Sequence, residues 1–151
     1  MLLKAAAAAA LLLLAAAPAR ANFEYTRWGM AERAAIAASR GTVRAFPPAQ
    51  RRAAGGVEYR AGGTFQAESN RFGIAFGFGP AGLRCVSYHA AGPAAGVALR
   101  AWLISRYGQP GERGGQTDQG QESLAWTQPD RIDFEMGPSG ALALQCAPDQ
   151  G

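Results

Sequence analysis

The chain has few of the residues that most enzymes use for chemistry. Its 151 residues include one histidine, His89, and two cysteines, Cys85 and Cys146. A single histidine excludes a metal site built from several imidazoles, and the cysteines do not form a Cys-x-x-Cys pair. The sequence also lacks a Gly-x-Ser-x-Gly nucleophile elbow and a glycine-rich phosphate loop ending in Lys-Ser or Lys-Thr. We therefore expect no catalytic, cofactor-binding or metal-binding residue.

The remaining candidates for acid–base chemistry do not pair with one another. Cys85 and His89 fall on one face of a predicted strand, but four residues of strand span about 13 Å, which exceeds hydrogen-bond reach. Asp133 and Glu135 fall on the polar face of another predicted strand beside Arg131, which is typical of a solvated charged face. We interpret His89 as a surface residue near a strand end.

Long apolar runs are absent after the N-terminus. Lys4 precedes the apolar run Ala5–Ala17, and Ala19-Arg20-Ala21 forms a small-x-small cleavage site, as in secretory signal peptides. The run is shorter than the roughly 20 residues of a membrane span. We predict cleavage after Ala21 and a mature chain that begins at Asn22. We expect this mature chain to have no membrane span and to be periplasmic or extracellular; an uncleaved N-terminal anchor is the alternative.

The positive charge is modest and scattered. Loss of Lys4 and Arg20 with the signal peptide lowers the net charge from +4 to +2. The other basic residues are arginines, and only Arg51-Arg52 are adjacent, whereas nucleic-acid-binding proteins concentrate positive charge on one face or tail. We expect no nucleic-acid partner. Residues 22–151 are enough for a single domain with its own core.

The two cysteines favour a disulfide. Their number is even, and the predicted compartment is oxidising. In the chain-entropy model, closing a loop of about 60 residues contributes about 4 kcal/mol. Two buried, unpaired thiols are the alternative.

The hydrophobic pattern predicts an α+β fold. A first helix is predicted from Gly29 to about Arg40, and a second over about residues 94–107, with Pro93 marking its first turn. Apolar residues cover most of the circumference of the second helix, so we expect most of it to be buried against the sheet. Period-two alternation predicts three or four strands between the helices and three after the second helix. Short turns favour antiparallel neighbours. The expected order is therefore α-β(3–4)-α-β3, with both helices on the apolar face of one antiparallel sheet.

The individual strands differ in how clearly they are marked. The strand Arg71–Phe78 has the strongest alternation, and Gly62-Gly63 is interpreted as an interruption, either a bulge or a two-residue hairpin. Residues 111–122 are interpreted as a mobile loop. The apolar residues of the last strand share one face, which we expect to be the face under the helices: Leu142, Leu144 and Cys146.

Two short segments resemble parts of known proteins. Trp28-Gly29-Met30 at a helix start and Tyr107-Gly108-Gln109-Pro110 at a helix end are similar to segments of small exported bacterial α+β proteins whose role is unassigned. The phenylalanine run and Gly-Leu-Arg turn in residues 76–84 are similar to the same proteins, and the likeness covers most of residues 26–144. The layout also resembles BamE and the β-lactamase inhibitor protein family. Those families place a helical hairpin before the sheet, so no functional residue is transferred from them.

The polar face of the predicted sheet is the candidate interaction surface. Trp is enriched at interfaces, and arginines are distributed along the predicted strands. The candidate contact residues are Arg60, Arg71, Arg84, Arg131 and Trp28. We expect a non-enzymatic exported protein that binds a macromolecule, such as an envelope protein. A carrier of a small apolar ligand, bound between Arg71–Phe78 and Trp102, and an enzyme with an unrecognised site are the alternatives. The sequence does not determine the oligomeric state.

Overall fold

A computed structural model describes residues 23–148, so the predicted signal peptide, its cleavage site and residues 149–151 lie outside the described residues. Within that range, nine strands form one antiparallel sheet accompanied by two α-helices, which is an α+β fold. The elements are α1 (Glu32–Ala38), β1 (Val43–Ala45), β2 (Arg52–Ala54), β3 (Val57–Ala67), β4 (Asn70–Gly79), β5 (Gly82–Ala91), α2 (Pro93–Tyr107), β6 (Glu112–Gly114), β7 (Glu122–Trp126), β8 (Arg131–Gly137) and β9 (Gly140–Cys146).

The strands lie in the order β1-β3-β4-β5-β9-β8-β7-β6, and β2 pairs with β3 beyond the end of β1. The central pair is therefore β5 and β9, although α2 and three strands separate them in the chain. Strands β1, β2 and β6 have three residues each, which is too short to produce a visible alternation in the sequence. Part of the predicted loop over residues 111–122 is strand β6, and part is a 3-10 turn at Thr117–Gln119.

Strand β3 is continuous through Gly62 and Gly63, so the predicted interruption there is wrong. A Cβ on Gly62 would lie 2.3 Å from the ring of Phe46. A Cβ on Gly63 would lie within 2 Å of the carbonyl oxygen of Thr42 in the neighbouring segment. The two glycines therefore allow close approach of the chain that precedes β2, rather than a turn.

Both helices contribute buried side chains to one apolar cluster. Ala35 of α1 and Leu99 and Leu103 of α2 are fully buried members of the same cluster as the phenylalanines of β4. The strong alternation in β4 is confirmed, because Phe72, Ile74, Phe76 and Phe78 are all buried in this cluster.

The bounds of α2 follow the predicted start and stop signals, whereas α1 is shorter than predicted: it covers Glu32–Ala38 rather than Gly29 to about Arg40. Pro93 occupies the first turn of α2, and the helix ends at Gly108, where φ is +82°. Only one stripe of α2 is buried, and Val97 is 47% exposed, so the expectation that most of its circumference is buried is wrong. Within residues 23–148, neither helix combines the length and apolarity that a membrane crossing needs.

Strand β9 has the opposite orientation to the one expected. Leu142 is 56% exposed and Leu144 is half-buried, whereas Ala141, Ala143 and Gln145 are buried. The alternation correctly predicted which residues share a face. It did not show which face is covered, because helix contacts decide that: a Cβ on Gly96 of α2 would lie 3.3 Å from the Cβ of Ala141.

Candidate functional site

The sheet has two unlike faces. The covered face packs against α2 and includes Ala141, Ala143 and Gln145 of β9. The opposite side is termed the open face. Directly paired residues in neighbouring antiparallel strands project to the same side, so the register defines three rows on the open face across β4, β5, β9 and β8. They are Gly73-His89-Leu142-Glu135, Ala75-Ser87-Leu144-Asp133 and Gly77-Cys85-Cys146-Arg131.

The open face has an apolar ridge along the central strand β9. Two large hydrophobic side chains are exposed among residues 23–148, Leu142 in β9 and Val97 on α2. Leu142 is the more exposed of the two. Leu144 follows on the same side and packs against the cluster of Val57, Cys85 and Cys146. A solvent-facing leucine in the middle of a sheet is available for contact with another apolar surface.

Beside this ridge, β4 contributes only small residues to the open face. Gly73 and Ala75 are half-buried, and Ser87 follows in β5. They form the floor of a shallow depression of about 390 Å³ bounded by Phe46 and His89. A second depression, of about 280 Å³, lies on the other side of the ridge over β6, β7 and β8.

The disulfide between Cys85 and Cys146 is confirmed. The two residues are directly paired in the central strands, with their Cα atoms 4.1 Å apart. Val57, Tyr59 and Leu144 pack around it on the open face, and burial raises the pKa of the Tyr59 hydroxyl. A disulfide is consistent with a non-cytoplasmic protein.

Charge on the open face is divided between its two sides. The cross-strand register places three arginines toward the β1–β4 side: Arg44, Arg52 and Arg71. It places three acidic residues toward the β8–β6 side: Glu112, Asp133 and Glu135. Arg131 also lies on the acidic side, with its Nε 3.7 Å from Oδ2 of Asp133. One side is therefore basic, and the other carries an excess of negative charge.

The predicted interaction residues occupy three different places. Arg71 and Arg131 lie on the open face, in β4 and β8. Arg84 is the extra residue of a bulge in β5, next to Cys85. Arg60 lies at a bulge in β3, where its guanidinium is 5.0 Å from the ring centre of Phe78 and its Nε is 3.3 Å from Glu32 of α1. The structure therefore does not bring the arginines together as one patch.

The fifth predicted contact residue, Trp28, belongs to a buried polar network. Its Nε1 donates a hydrogen bond to Oδ1 of Asp130 at 2.9 Å, and Nε2 of Gln145 donates to Oδ2 at 2.6 Å. The hydroxyls of Tyr88 and Tyr107 both donate to Oε1 of Gln145. Both oxygens of Asp130 and the amide oxygen of Gln145 thus have donors, although Asp130 and Gln145 are fully buried.

Burial also changes the protonation behaviour of this network. Desolvation raises the pKa of Asp130, and the hydrogen bonds from Gln145 and Trp28 partly offset that rise. Desolvation raises the pKa of Tyr88 well above its ordinary value, so the Tyr88 hydroxyl remains a donor. Trp28 and Gln145, which both bind Asp130, are 117 residues apart in the chain. No local sequence pattern indicates this network.

The geometry around His89 bears on acid–base chemistry. His89, Glu135, Ser123 and Ser139 line one open depression of about 450 Å³. Leu142 lies between His89 and Glu135 in the register, which separates their Cα atoms by roughly 10 Å. Among residues 23–148, no group of three or more His, Cys, Asp or Glu side chains could hold a metal ion.

The aromatic cluster on the covered face is closely packed. Phe23, which precedes α1, lies edge-on to Phe65, Phe76 and Tyr88, with ring centres 4.9, 5.9 and 5.7 Å apart. Trp102 of α2 completes the cluster at 5.1 Å from Phe65. The space between β4 and Trp102, which the sequence suggested for a ligand, is therefore occupied by the protein's own rings.

Comparison with known proteins adds no relative: no protein-family model, no curated protein and no solved structure matches the chain.

Proposed function

We propose that the protein is an exported, non-enzymatic α+β domain that binds another polypeptide of the envelope or extracellular space through its open face. The main support for this proposal is the exposure of Leu142, an apolar side chain in the central strand β9 that is 56% exposed. It forms part of a ridge between two shallow depressions, with charged residues on either side. An apolar centre with a polar, charged rim is the usual composition of a protein-binding surface.

The proposal includes the export pathway and the domain organisation. Residues 1–21 act as a signal peptide that is removed after Ala21, and residues 22–151 form a single domain with both helices on the covered face. The disulfide supports an oxidising destination. The resemblance to small exported bacterial α+β proteins belongs to the same proposal.

Protein binding is favoured over carriage of a small apolar ligand. A carrier needs an enclosed apolar cavity, and the rings of Phe23 and Phe65 pack in sequence between Phe76 of β4 and Trp102. The depressions on the open face are shallow and partly polar, which suits side chains from a partner surface better than an enclosed ligand.

Site-specific photocrosslinking tests the proposal. A photoreactive amino acid replaces Leu142 in one variant and Val97 in a matched control, because Val97 is also a large exposed hydrophobic residue but lies on α2. After export and irradiation in the producing cells, we expect a protein adduct from position 142 and little from position 97. Mass spectrometry identifies the partner.

Two results would count against the proposal. Absence of any protein adduct from position 142 in correctly folded, exported protein would remove the open face as a binding surface. Equal adducts from both positions would indicate nonspecific contact with exposed apolar groups.

A further inference from the structure

We infer that the open face binds a second copy of the same chain across a two-fold axis parallel to the strands, between β5 and β9. This inference rests on the proposed binding role of the open face and names its partner. It is derived from how shape and charge are distributed across the sheet order.

The symmetry follows from the strand order. The path β1-β3-β4-β5-β9-β8-β7-β6 has its midpoint between β5 and β9. When two copies of this face meet across a two-fold axis along that midpoint, each strand faces the strand at the same distance on the other side. Strand β5 then faces β9 of the second copy, β4 faces β8, β3 faces β7, and β1 faces β6.

The shapes of the facing strands are complementary under this operation. Leu142 of one copy lies over His89 of the other, and Leu144 lies over the small residue Ser87. The small residues Gly73 and Ala75 of β4 leave room for the longer side chains of β8. The ring of Phe46 rises over β3 at Gly62, and it faces the depression over β6, β7 and β8.

The charges are complementary under the same operation. Arg44 of β1 in one copy faces Glu112 of β6 in the other, because the register places both residues in the row of Ala75, Leu144 and Asp133. Asp133 and Glu135 of β8 face the small residues Ala75 and Gly73 of β4. Each attractive pairing occurs twice in the dimer, because an interface on a two-fold axis is isologous. An axis perpendicular to the strands would instead place each charged side over itself, which like-charge repulsion disfavours.

The face is also large enough for a stable dimer. Eight strands at a spacing of about 4.8 Å span roughly 34 Å, and a strand of seven residues such as β9 is about 23 Å long. The product, about 780 Å², is close to the roughly 800 Å² that each partner buries in a standard interface. Two sheets packed in this way would lie about 10 Å apart.

Charge exchange tests the inference on the exported, disulfide-bonded protein. One variant carries Glu112→Arg, and the other carries Arg44→Glu; both side chains are exposed. Sedimentation equilibrium measures mass over a range of concentrations. We expect the unmodified chain to form a dimer and each variant to dissociate at least ten-fold more readily.

Mixing the two variants is the decisive measurement. In each variant, positions 44 and 112, which face each other across the axis, have like charge, so the variant repels its own copies, but the two variants are complementary to each other. A one-to-one mixture should therefore recover a two-chain mass, and added salt should weaken it. Arg33→Glu on the exposed part of α1 is the control and should leave the dimer unchanged.

The outcomes separate this inference from the proposed function. A single-chain mass for the unmodified protein at every concentration overturns the inference, while adducts from position 142 to a different protein would leave the proposed function in place. A dimer that neither charge exchange weakens also overturns it, because such a dimer uses another surface. Failure of the mixed variants to associate would contradict the strand pairing given by the two-fold axis.

Discussion

The side chains on the two faces of β9 have different kinds of partner. On the covered face, Gln145 is fully buried; its amide oxygen accepts a hydrogen bond and its amide nitrogen donates one. One residue earlier, Leu144 is half-buried on the open face beside the disulfide. A polar residue is thus deep inside the protein and an apolar residue is outside, and the comparison shows that partners, rather than side-chain polarity alone, determine the orientation of this strand.

The source of stability also differs between the faces. Interlocking aromatic rings and a fully hydrogen-bonded polar network support the covered face. The open face has few large side chains, and the covalent bond between Cys85 and Cys146 joins its two central strands. Changes on the two faces should therefore have effects of different size and kind.

The largest expected effect comes from removing the disulfide. Replacing Cys85 and Cys146 by alanine should lower the free energy of unfolding by about 4 kcal/mol, because the unfolded chain gains the freedom of a loop of about 60 residues. Urea unfolding of the variant and of the oxidised protein measures the difference. A loss below about 1 kcal/mol would show that the open face is stabilised mainly by something other than the disulfide.

The next effect compares the two faces at adjacent residues. Gln145→Leu should cost about 3 kcal/mol, because Asp130 loses one donor and the hydroxyls of Tyr88 and Tyr107 lose their acceptor in a buried site. Leu144→Gln, the reverse exchange one residue away, should cost less than about 1 kcal/mol, since that side chain is half-buried. Urea midpoints of both variants check the pair. Equal losses would mean that the polar network contributes no more than ordinary packing.

The sequence predicts the parts of this fold that depend on local pattern. The alternation of residues 71–78, the proline and glycine at the ends of α2, and the paired cysteines all led to correct predictions. Each depends on residues close in the chain or, for the cysteines, on the compartment.

Other features depend on contacts between distant segments. Alternation in β9 does not distinguish the covered face from the open face, because alanine and glutamine on one side gave a weaker apolar signal than the leucines on the other. Gly62 and Gly63 indicated a break because their close contacts with Phe46 and Thr42 are not visible in the sequence. The two-sided charge of the open face follows from a strand order in which β5 and β9 are neighbours.

A pH dependence should follow from Asp130. Desolvation raises its folded-state pKa, so the folded protein binds this proton more tightly than the unfolded chain does. The contribution of Asp130 to stability should therefore increase as pH falls through the raised pKa and become constant below the ordinary pKa of aspartate. At neutral pH, the ionised form costs stability.

Asp130→Asn measures that contribution. Rotation of the Gln145 amide would let its oxygen accept from the new asparagine, while the Gln145 nitrogen donates to the tyrosine hydroxyls. The Tyr88 and Tyr107 hydroxyls then lose Gln145 as their acceptor, and this cost does not depend on pH between 7 and 3, so it cancels when the two ends of the pH range are compared. The difference in unfolding free energy between the original protein and the variant, measured from pH 7 to pH 3, should shift in favour of the original protein as pH falls. A shift in the other direction would contradict the assignment of a raised pKa.

The smallest expected effect on stability comes from Leu142→Arg. Because Leu142 is exposed and faces away from the aromatic cluster, the free energy of unfolding should change by no more than about 0.5 kcal/mol. The same substitution should abolish the dimer, since it places an arginine on the apolar ridge next to the two-fold axis, close to the equivalent arginine of the second copy. Urea unfolding and sedimentation on the same preparation separate the two effects. A large loss of stability with an unchanged mass would mean that Leu142 supports the fold of its own chain. The distinction between a structural covered face and a binding open face would then be wrong for Leu142.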